Sequence, residues 1–390
     1  MHFAAVLAAV VALVRVALAA SPAHAQEGGW AAWTASPRPD AGVARAPLER
    51  AVLDACGTGD AALAEVARAV LARKLRGLPL PEPEALAAMQ RAAGEPHPWA
   101  RTWAARARAL DASTVIPRLA PWLSGDRALR RCGIAWGTAG ATGAGAEGDQ
   151  VLVVVAIDAL ADLSPLPTHA RAGQWLTVEA RMHVATSDAR VVVLGARGPR
   201  TVPSWIEGGA VRARFAPESP GETTVQVVAD LPSGPRPVLE ATVLADDGGD
   251  DHADHAAPGE EVAAGTPDDD RLAAMIAAAR AAASLPPLRR DARLDAAARA
   301  HAARMLASGD LAHDAGDGDP GARIRAAGLD AREAGENVAR AATLSLAHRA
   351  TWASPSHRAN LLGRYDRLGV AVLRDARGDA WIVEELARTN

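Results

Sequence analysis

Apolar positions recur at three- and four-residue spacings through residues 46–131, which predicts a mainly helical region. The clearest runs are LERAVLDACG, ALAEVARAVLARKL and EALAAMQRAAG, separated by glycines or a proline-marked loop. The period changes at Cys132, where CGIAWG and DQVLVVVAIDAL are two β-prone runs joined by a glycine-rich connection. This change predicts a hairpin, so we expect residues 46–162 to form an α/β domain.

From residue 163 to residue 245 the pattern is strand-like throughout, with short apolar runs at about ten-residue spacing. Turn clusters such as RGPR, ESPGE and PSGPRP separate these runs. Such a series is typical of two antiparallel sheets packed face to face. We therefore predict a small β-sandwich of immunoglobulin-like type.

Two polar segments flank these parts. Residues 26–45 are rich in glycine and proline and predict a linker, and residues 246–267 are acidic and predict a flexible linker extended by self-repulsion. His252 and His255 stand among aspartates in the acidic segment. A mobile glycine-containing tract does not preorganise metal ligands, so a solvated spacer is the preferred interpretation.

The N-terminal residues have the pattern of a secretory signal peptide. An apolar run over residues 3–20 is followed by Ala23-His24-Ala25, a small-residue cleavage pattern, which predicts a signal peptide over residues 1–25. An uncleaved membrane anchor is the alternative, but Arg15 within the run would be costly in hydrocarbon. We expect an exported chain, secreted or periplasmic, with no integral membrane segment after cleavage.

Composition narrows the function classes. Hydrophobic residues make up 49% and charged residues 23%, as in globular proteins, and a net charge of -4 argues against nucleic acid as a partner. Lys74 is the only lysine, so we read the many arginines as compositional bias rather than as phosphate-binding groups. Cys56 and Cys132 are the only cysteines and predict one disulfide in an oxidising compartment, with two buried thiols as the alternative.

Residues 268–390 carry the most specific pattern. Two apolar-periodic helices, predicted to stop at Pro286-Pro287 and at Gly309, are followed in order by LAHD, GENVA, SPSHRANLL, LGVAVL and WIVEEL. This order closely resembles the bacterial branch of the CAP superfamily, which comprises the cysteine-rich secretory, antigen 5 and pathogenesis-related proteins. The resemblance implies an α-β-α sandwich with a cleft that bears histidine and glutamate side chains.

Transferred motif by motif, the resemblance implies that His313, Glu336 and His357 line this cleft. His313 would follow a helix, Glu336 would lie in a loop, and His357 would begin another helix. Two imidazoles and a carboxylate suit Zn²⁺ or another divalent cation, or a proton-transfer pair. In the alternative, His313 and Glu336 hydrogen-bond each other and close loops over the sheet.

Ser354 and Ser356 stand beside His357 and invite interpretation as a Ser-His-Glu hydrolase. Helix capping explains them better, because Ser354 suits the N-cap position and Pro355 the first helical position. No catalytic residue is assigned, since no nucleophile with an oriented base is identifiable.

Other polar residues of this region are placed outside the site. His301 lies mid-helix and is interpreted as a packed or surface histidine, while Asn337 and Asn360 are expected to bond loop backbone. Animal and plant family members typically carry a second glutamate on the helix before the second histidine. The corresponding segment TLSLAHRATW has none, and His348 is its only titratable substitute besides Arg349.

The N-terminal region resembles the C-terminal one in outline. A helix, a proline-leucine loop and a second helix occur in both, and PWLSGDRALRRCGIAWG parallels TWASPSHRANLLGRYDRLGVAVL. Asp126 stands where His357 would be, and no counterpart of GENVA is present. Two hypotheses remain: a degenerate CAP-like copy without a site, or an unrelated α/β domain.

These observations predict an α+β multidomain protein with an N-terminal α/β domain, a central β-sandwich and a C-terminal CAP-like domain over residues 268–390. The leading function hypothesis is non-catalytic binding of a lipid, glycan or peptide in the cell envelope or outside the cell, with Zn²⁺ or another divalent cation as the candidate cofactor. The alternatives are a metal-assisted hydrolase and a structural or adhesive envelope protein.

Overall fold

The computed structural model describes residues 32–34, 46–123, 125–140, 148–246, 256–262 and 266–389. The predicted signal peptide lies outside these residues, as do most of the first linker and both His252 and His255. Within the described ranges, no helix is long and apolar enough to span a membrane.

The N-terminal part is a four-stranded sheet with helices on both faces. Strand β1 (Ala32–Trp33) lies outside this sheet, since it pairs with residues 166–167 of the central part and Trp33 packs in the core of that part. The elements of the N-terminal part are, in chain order, α1 (Pro47–Cys56), β2 (Thr58–Gly59), α2 (Ala61–Leu75), α3 (Pro83–Ala92), β3 (Arg101–Ala107), α4 (Ala112–Leu119), β4 (Arg130–Thr138) and β5 (Gln150–Asp158). The sheet order is β2-β4-β5-β3, with α2 and α3 on one face and α1 and α4 on the other. Strands β4 and β5 pair antiparallel, as the predicted hairpin requires, and a disulfide joins Cys56 of α1 to Cys132 of β4.

The central part consists of two sheets that share one apolar core. Its strands are β6 (Ala161–Leu163), β7 (Leu166–Pro167), β8 (His169–Ala170), β9 (Leu176–Met182), β10 (Ala189–Gly195), β11 (Gly198–Val202), β12 (Ser204–Glu207), β13 (Ala210–Phe215), β14 (Gly221–Leu231) and β15 (Gly234–Ala245). The sheet orders are β11-β10-β14-β15-β8 and β12-β13-β9-β6. Successive side chains of a strand point to opposite faces of the sheet, which explains why Leu176, Val178 and Ala180 of β9 are buried in this core while Thr177 is exposed.

The C-terminal part is again a four-stranded sheet between helices. Its elements are α5 (Asp268–Ala282), β16 (Arg289–Arg290), α6 (Ala292–Ser308), α7 (Pro320–Ala326), β17 (Ala331–Ala341), α8 (Leu344–Ala353), α9 (Pro355–Leu361), β18 (Arg367–Arg374) and β19 (Ala380–Thr389). The sheet order is β16-β18-β19-β17. Val370 and Ile382 pack towards α5 and α8, and Ala371 and Val383 pack towards α6.

Three details differ from the sequence predictions. Helix α5 ends at Ala282, before the two prolines. Glu336 lies in strand β17 and not in a loop, because β19 pairs with this segment despite its low strand propensity. Residues 256–262, assigned to the flexible acidic linker, pack against the C-terminal part, where Ala257 is buried and Glu260 pairs with Arg349.

The two α/β parts have the same succession of elements. Each runs helix, short strand, helix, helix, strand, helix, a further short helix, strand, strand; Ala120–Trp122, a 3-10 turn, occupies the place of α9. The sheet orders correspond as well, with a parallel first pair and two antiparallel pairs in both. The layers also correspond, since α2 and α6 lie on equivalent faces.

Candidate functional site

His313 and Glu336 are in direct contact at the edge of the C-terminal sheet. His313 lies in the loop after α6, and its Nδ1 is 2.6 Å from Oε1 of Glu336. Burial lowers the pKa of His313 to about 4, and the nearby Arg323 guanidinium acts in the same direction. The imidazole is therefore neutral at neutral pH. This contact is the one expected if His313 and Glu336 hydrogen-bond each other.

Arg323 of α7 holds two carboxylates together. It donates to Oε2 of Glu336 through Nη2 and to Oε1 of Glu385 through Nε, the latter at 2.9 Å. Glu336 and Glu385 are directly opposite in the β17–β19 register, where like charges would repel. Burial raises the pKa of both carboxyl groups, and the guanidinium opposes this shift.

His301 lies beneath this cluster on α6 and is fully buried. Its Nδ1 is 3.0 Å from Oδ2 of Asp317, and its Nε2 is 2.9 Å from the carbonyl of Ala312. Nε2 is also 3.6 Å from Oε2 of Glu336. His301 is thus a packed histidine that supports the loop of His313 from inside.

His357 lies in the first turn of α9 and is 7% exposed. No side chain or carbonyl in the described part of the chain hydrogen-bonds its ring. Burial lowers its pKa to about 3, and the neighbouring His313 contributes. A buried neutral imidazole without a partner is a group with unused hydrogen-bonding capacity.

Two asparagines tie α9 to the sheet. Asn337 donates through Nδ2 to the carbonyl of His357 at 3.1 Å and to Oε2 of Glu384 at 2.8 Å. Asn360 donates through Nδ2 to the carbonyl of Glu336 at 2.9 Å. Both bond main chain, though in a strand and a helix rather than a loop. Oε1 of Glu384 has no partner among the described residues, and burial raises the pKa of this carboxyl to about 7.

The serines beside His357 face the β-sandwich. Ser354 occupies the N-cap position of α9, but its side chain makes no capping bond. Its Oγ instead accepts from Nε2 of Gln226 on β14 at 3.3 Å, and the N–H of Ser356 donates to Oε1 of Gln226 at 3.1 Å. Neither serine is placed to be activated by His357.

A second contact with the sandwich lies at His313. The main-chain N–H groups of His313 and Asp314 both donate to the carbonyl oxygen of Ser233, at 3.0 and 3.1 Å. Ser233 belongs to the turn between β14 and β15. The loop of His313 therefore presents two convergent main-chain donors, and a peptide carbonyl accepts from both.

The carboxylate of the predicted metal triad is engaged by other side chains. Oε1 of Glu336 contacts Nδ1 of His313, and Oε2 accepts from Nη2 of Arg323. No cluster of three or more histidine, cysteine, aspartate or glutamate side chains in the described ranges is arranged to hold a metal ion.

Sequence reasoning missed Arg323, Glu384 and Glu385. The available signal was the pair of glutamates in the otherwise apolar strand AWIVEEL, because carboxylates are almost never fully buried without partners. His348 does not replace the second glutamate of the animal and plant proteins: its Nε2 is 3.0 Å from the carbonyl of Pro258, away from the cleft.

Comparisons with known proteins give the following matches. The chain is similar in structure to an outer surface protein from Borrelia burgdorferi (23% identity, 32% of this chain and 93% of that chain, TM-score 0.30). It is also similar to an extracellular protein containing an SCP domain from Bacillus anthracis (16% identity, 59% of this chain and 86% of that chain, TM-score 0.29). A cysteine-rich secretory protein from Staphylococcus aureus is similar as well (15% identity, 60% of this chain and 81% of that chain, TM-score 0.26). No curated protein matches at a significant level. The family model of the cysteine-rich secretory proteins matches residues 273–385, so this chain carries a CAP superfamily domain in its C-terminal part.

Proposed function

We propose that the protein is an extracytoplasmic binding protein whose CAP domain recognises a peptide main chain without catalysis. The observation that supports this most directly is the pair of N–H groups of His313 and Asp314 converging on one peptide carbonyl. Two fixed donors at a cleft are a means of capturing an extended or turned backbone. The proposal needs no metal or cofactor.

The arrangement of side chains favours binding over hydrolysis. Catalysis of the Ser-His type needs a nucleophile within hydrogen-bond reach of a base that a third group orients. Here Ser354 and Ser356 contact Gln226, and His313 and Arg323 engage Glu336. No residue of the described part combines a free nucleophile with an oriented base.

The polar character of the site favours a peptide over a lipid. Lipid and other apolar ligands take pockets lined mainly by hydrophobic and aromatic groups. The side chains bonded to one another at the start of α9 are instead Asn337, Asn360 and Glu384. The two main-chain donors of His313 and Asp314 suit a peptide carbonyl.

The disulfide supports a location outside the cytoplasm. Structural disulfides such as the bond between Cys56 and Cys132 form and persist mainly in oxidising compartments. The pattern of residues 1–25 predicts export on independent grounds.

We also propose that the N-terminal α/β part is a second copy of the CAP fold. Asp60 and Asp291 both cap the second helix, and their N–H groups donate to Cys132 and Leu368, at 3.0 and 2.9 Å. The residues that follow these acceptors are glycines, and a Cβ on either would collide with the first turn of that helix. Agreement at the level of single hydrogen bonds is more than a shared α/β layout requires.

The second copy lacks the polar site. Counting along the paired strands from these glycines places Thr102 at the position of Glu336 and Trp103 at that of Asn337. Val154 and Val155 take the positions of Glu384 and Glu385. The N-terminal copy would therefore serve as a scaffold.

Fluorescence anisotropy with the full chain tests the binding function. The probe is a labelled decapeptide with the sequence ADLPSGPRPV, which contains the Ser233 carbonyl and its neighbours. We expect saturable binding that His357→Leu weakens by at least about tenfold, since it removes an unpartnered hydrogen-bonding group at the cleft.

His348→Leu is the matched control, because it replaces a buried histidine of the adjacent helix whose ring contacts Pro258 rather than the cleft. It should leave the peptide affinity unchanged. Equal affinities of the two variants would show that His357 takes no part in binding. Mass spectrometry of the recovered peptide completes the test, since cleaved peptide would favour the hydrolase alternative.

A further inference from the structure

The turn between β14 and β15 reaches from the β-sandwich to the loop of His313 in the CAP domain. We call residues 231–234, at the end of this hairpin, the hairpin tip. Its Ser233 carbonyl accepts the two N–H groups next to His313, yet Ser233 itself remains exposed to solvent. The tip thus fills this donor pair without being embedded in a core.

Gly234 is required for this close approach. Its φ is +100°, a conformation that L side chains rarely adopt, and a Cβ at this position would lie 2.5 Å from Cβ of His313. Because His313 Cβ belongs to the rigid part of that side chain, one of the two segments would have to move. The contact therefore selects a carbonyl followed by glycine.

A second anchor in the same hairpin contacts the start of α9. Gln226 of β14 is 2% exposed and bonds both Ser354 and Ser356 at the start of α9. The β14–β15 hairpin is therefore bonded to the CAP domain at two places, the loop of His313 and the start of α9. Separating the hairpin from the domain requires both contacts to break.

We propose that the hairpin tip is a built-in occupant of the His313 and Asp314 donor pair, which an external peptide with a carbonyl-glycine step must displace. The inference rests on the proposed peptide-binding function. It makes the sandwich a regulator of the site. The measured affinity for an external peptide equals the intrinsic affinity multiplied by the fraction of molecules in which the tip has left.

Hydrogen exchange of the full chain tests this closure. Gly234→Ala should make the amides of His313 and Asp314 exchange at least about tenfold faster than in the wild type, because their acceptor is displaced. Gly209→Ala is the matched control: Gly209 also has a positive φ, +76°, in a sandwich hairpin, but a Cβ there meets nothing within 4 Å. It should leave these amides unchanged.

The affinity for the ADLPSGPRPV peptide separates this inference from the function on which it rests. Faster exchange with tighter peptide binding in Gly234→Ala supports both. Faster exchange without any peptide binding supports the occupant and removes the peptide-binding function. Equal exchange in Gly234→Ala and Gly209→Ala overturns the built-in occupant, whatever the peptide does.

A second variant covers failure of Gly234→Ala to fold. Gln226→Ala removes the other anchor without adding a clash. Faster exchange at His313 and Asp314 in this variant supports a common closed state, and unchanged exchange there overturns it.

Discussion

Adjacent glutamates of β19 face opposite sides of the sheet and experience different surroundings. Glu385 shares Arg323 with Glu336, whereas Glu384 has only the Asn337 amide on one oxygen. A buried carboxyl without a cation stays protonated to higher pH, because burial penalises its charged form. At the residue scale, burial therefore opposes ionisation of Glu384, and no cation among the described residues offsets it.

Glu384→Gln should make the protein less sensitive to alkaline pH. The folded pKa is raised from 4.5 to about 7, so the native carboxyl binds the proton more tightly and stability is lost as pH rises through that value. At about pH 8 the neutral isostere should be up to about 3 kcal/mol more stable than the wild type, with little difference near pH 4.5.

Urea unfolding at both pH values measures this difference. Glu333→Gln is the control, since it replaces a half-exposed carboxylate of the neighbouring strand that pairs with Arg388. Its effect should be small and nearly the same at both pH values. A Glu384→Gln effect that does not grow with pH would contradict the buried, raised-pKa carboxyl.

At the element scale, each α/β part depends on a glycine where a helix crosses the sheet. A Cβ on Gly133 of β4 would lie 2.0 Å from main-chain atoms of Leu63 in α2, and a Cβ on Gly369 of β18 would lie 2.3 Å from Leu294 in α6. Main chain cannot move aside as a side-chain tip can. The helix therefore packs at this distance only over glycine.

Gly133→Ala should destabilise the N-terminal part by about 3 kcal/mol, within the range of overpacking a rigid core. Gly137→Ala is the control in the same strand, where the new Cβ would meet the flexible tip of Leu71 at 3.3 Å. It should cost less than about 1 kcal/mol. Thermal unfolding of both variants measures this, and equal losses would argue against the close helix crossing.

Local pattern predicted the elements whose propensity and packing agree. Helices α2 and α6 and the β4–β5 hairpin follow from apolar periodicity, since their own side chains build the core. Strand β17 was missed because Gly335, Glu336 and Asn337 are poor strand formers, and its partner β19 is distant in the sequence. The site residues His313, Glu336 and His357 came from motif order, whereas Arg323 does not stand out among many arginines.

At the scale of the whole molecule, the β-sandwich contacts the CAP domain at the loop of His313 and at the start of α9. The contacts of Ser233 and Gln226 with the CAP domain join residues far apart in sequence, and no local pattern predicts how two domains dock. The cross-link of the N-terminal part was more accessible to sequence reasoning, because only two cysteines were present.

Removing the disulfide should weaken the N-terminal part. The bond closes a separation of 76 residues, and the loop-entropy model gives a contribution of about 4 kcal/mol. Calorimetry of the Cys56→Ala/Cys132→Ala variant should show a lower melting temperature, and a reductant should reproduce this shift in the wild type but not in the variant. Unchanged melting in both experiments would contradict a stabilising bond.

The central claim is that the N–H groups of His313 and Asp314 receive a peptide carbonyl. Amide exchange of these two residues in the Gly234→Ala protein, with and without saturating ADLPSGPRPV peptide, tests it most directly. We predict that the peptide slows their exchange by at least about tenfold, as a regained hydrogen-bond acceptor requires. Peptide binding that leaves both amides exchanging at the peptide-free rate would contradict the claim.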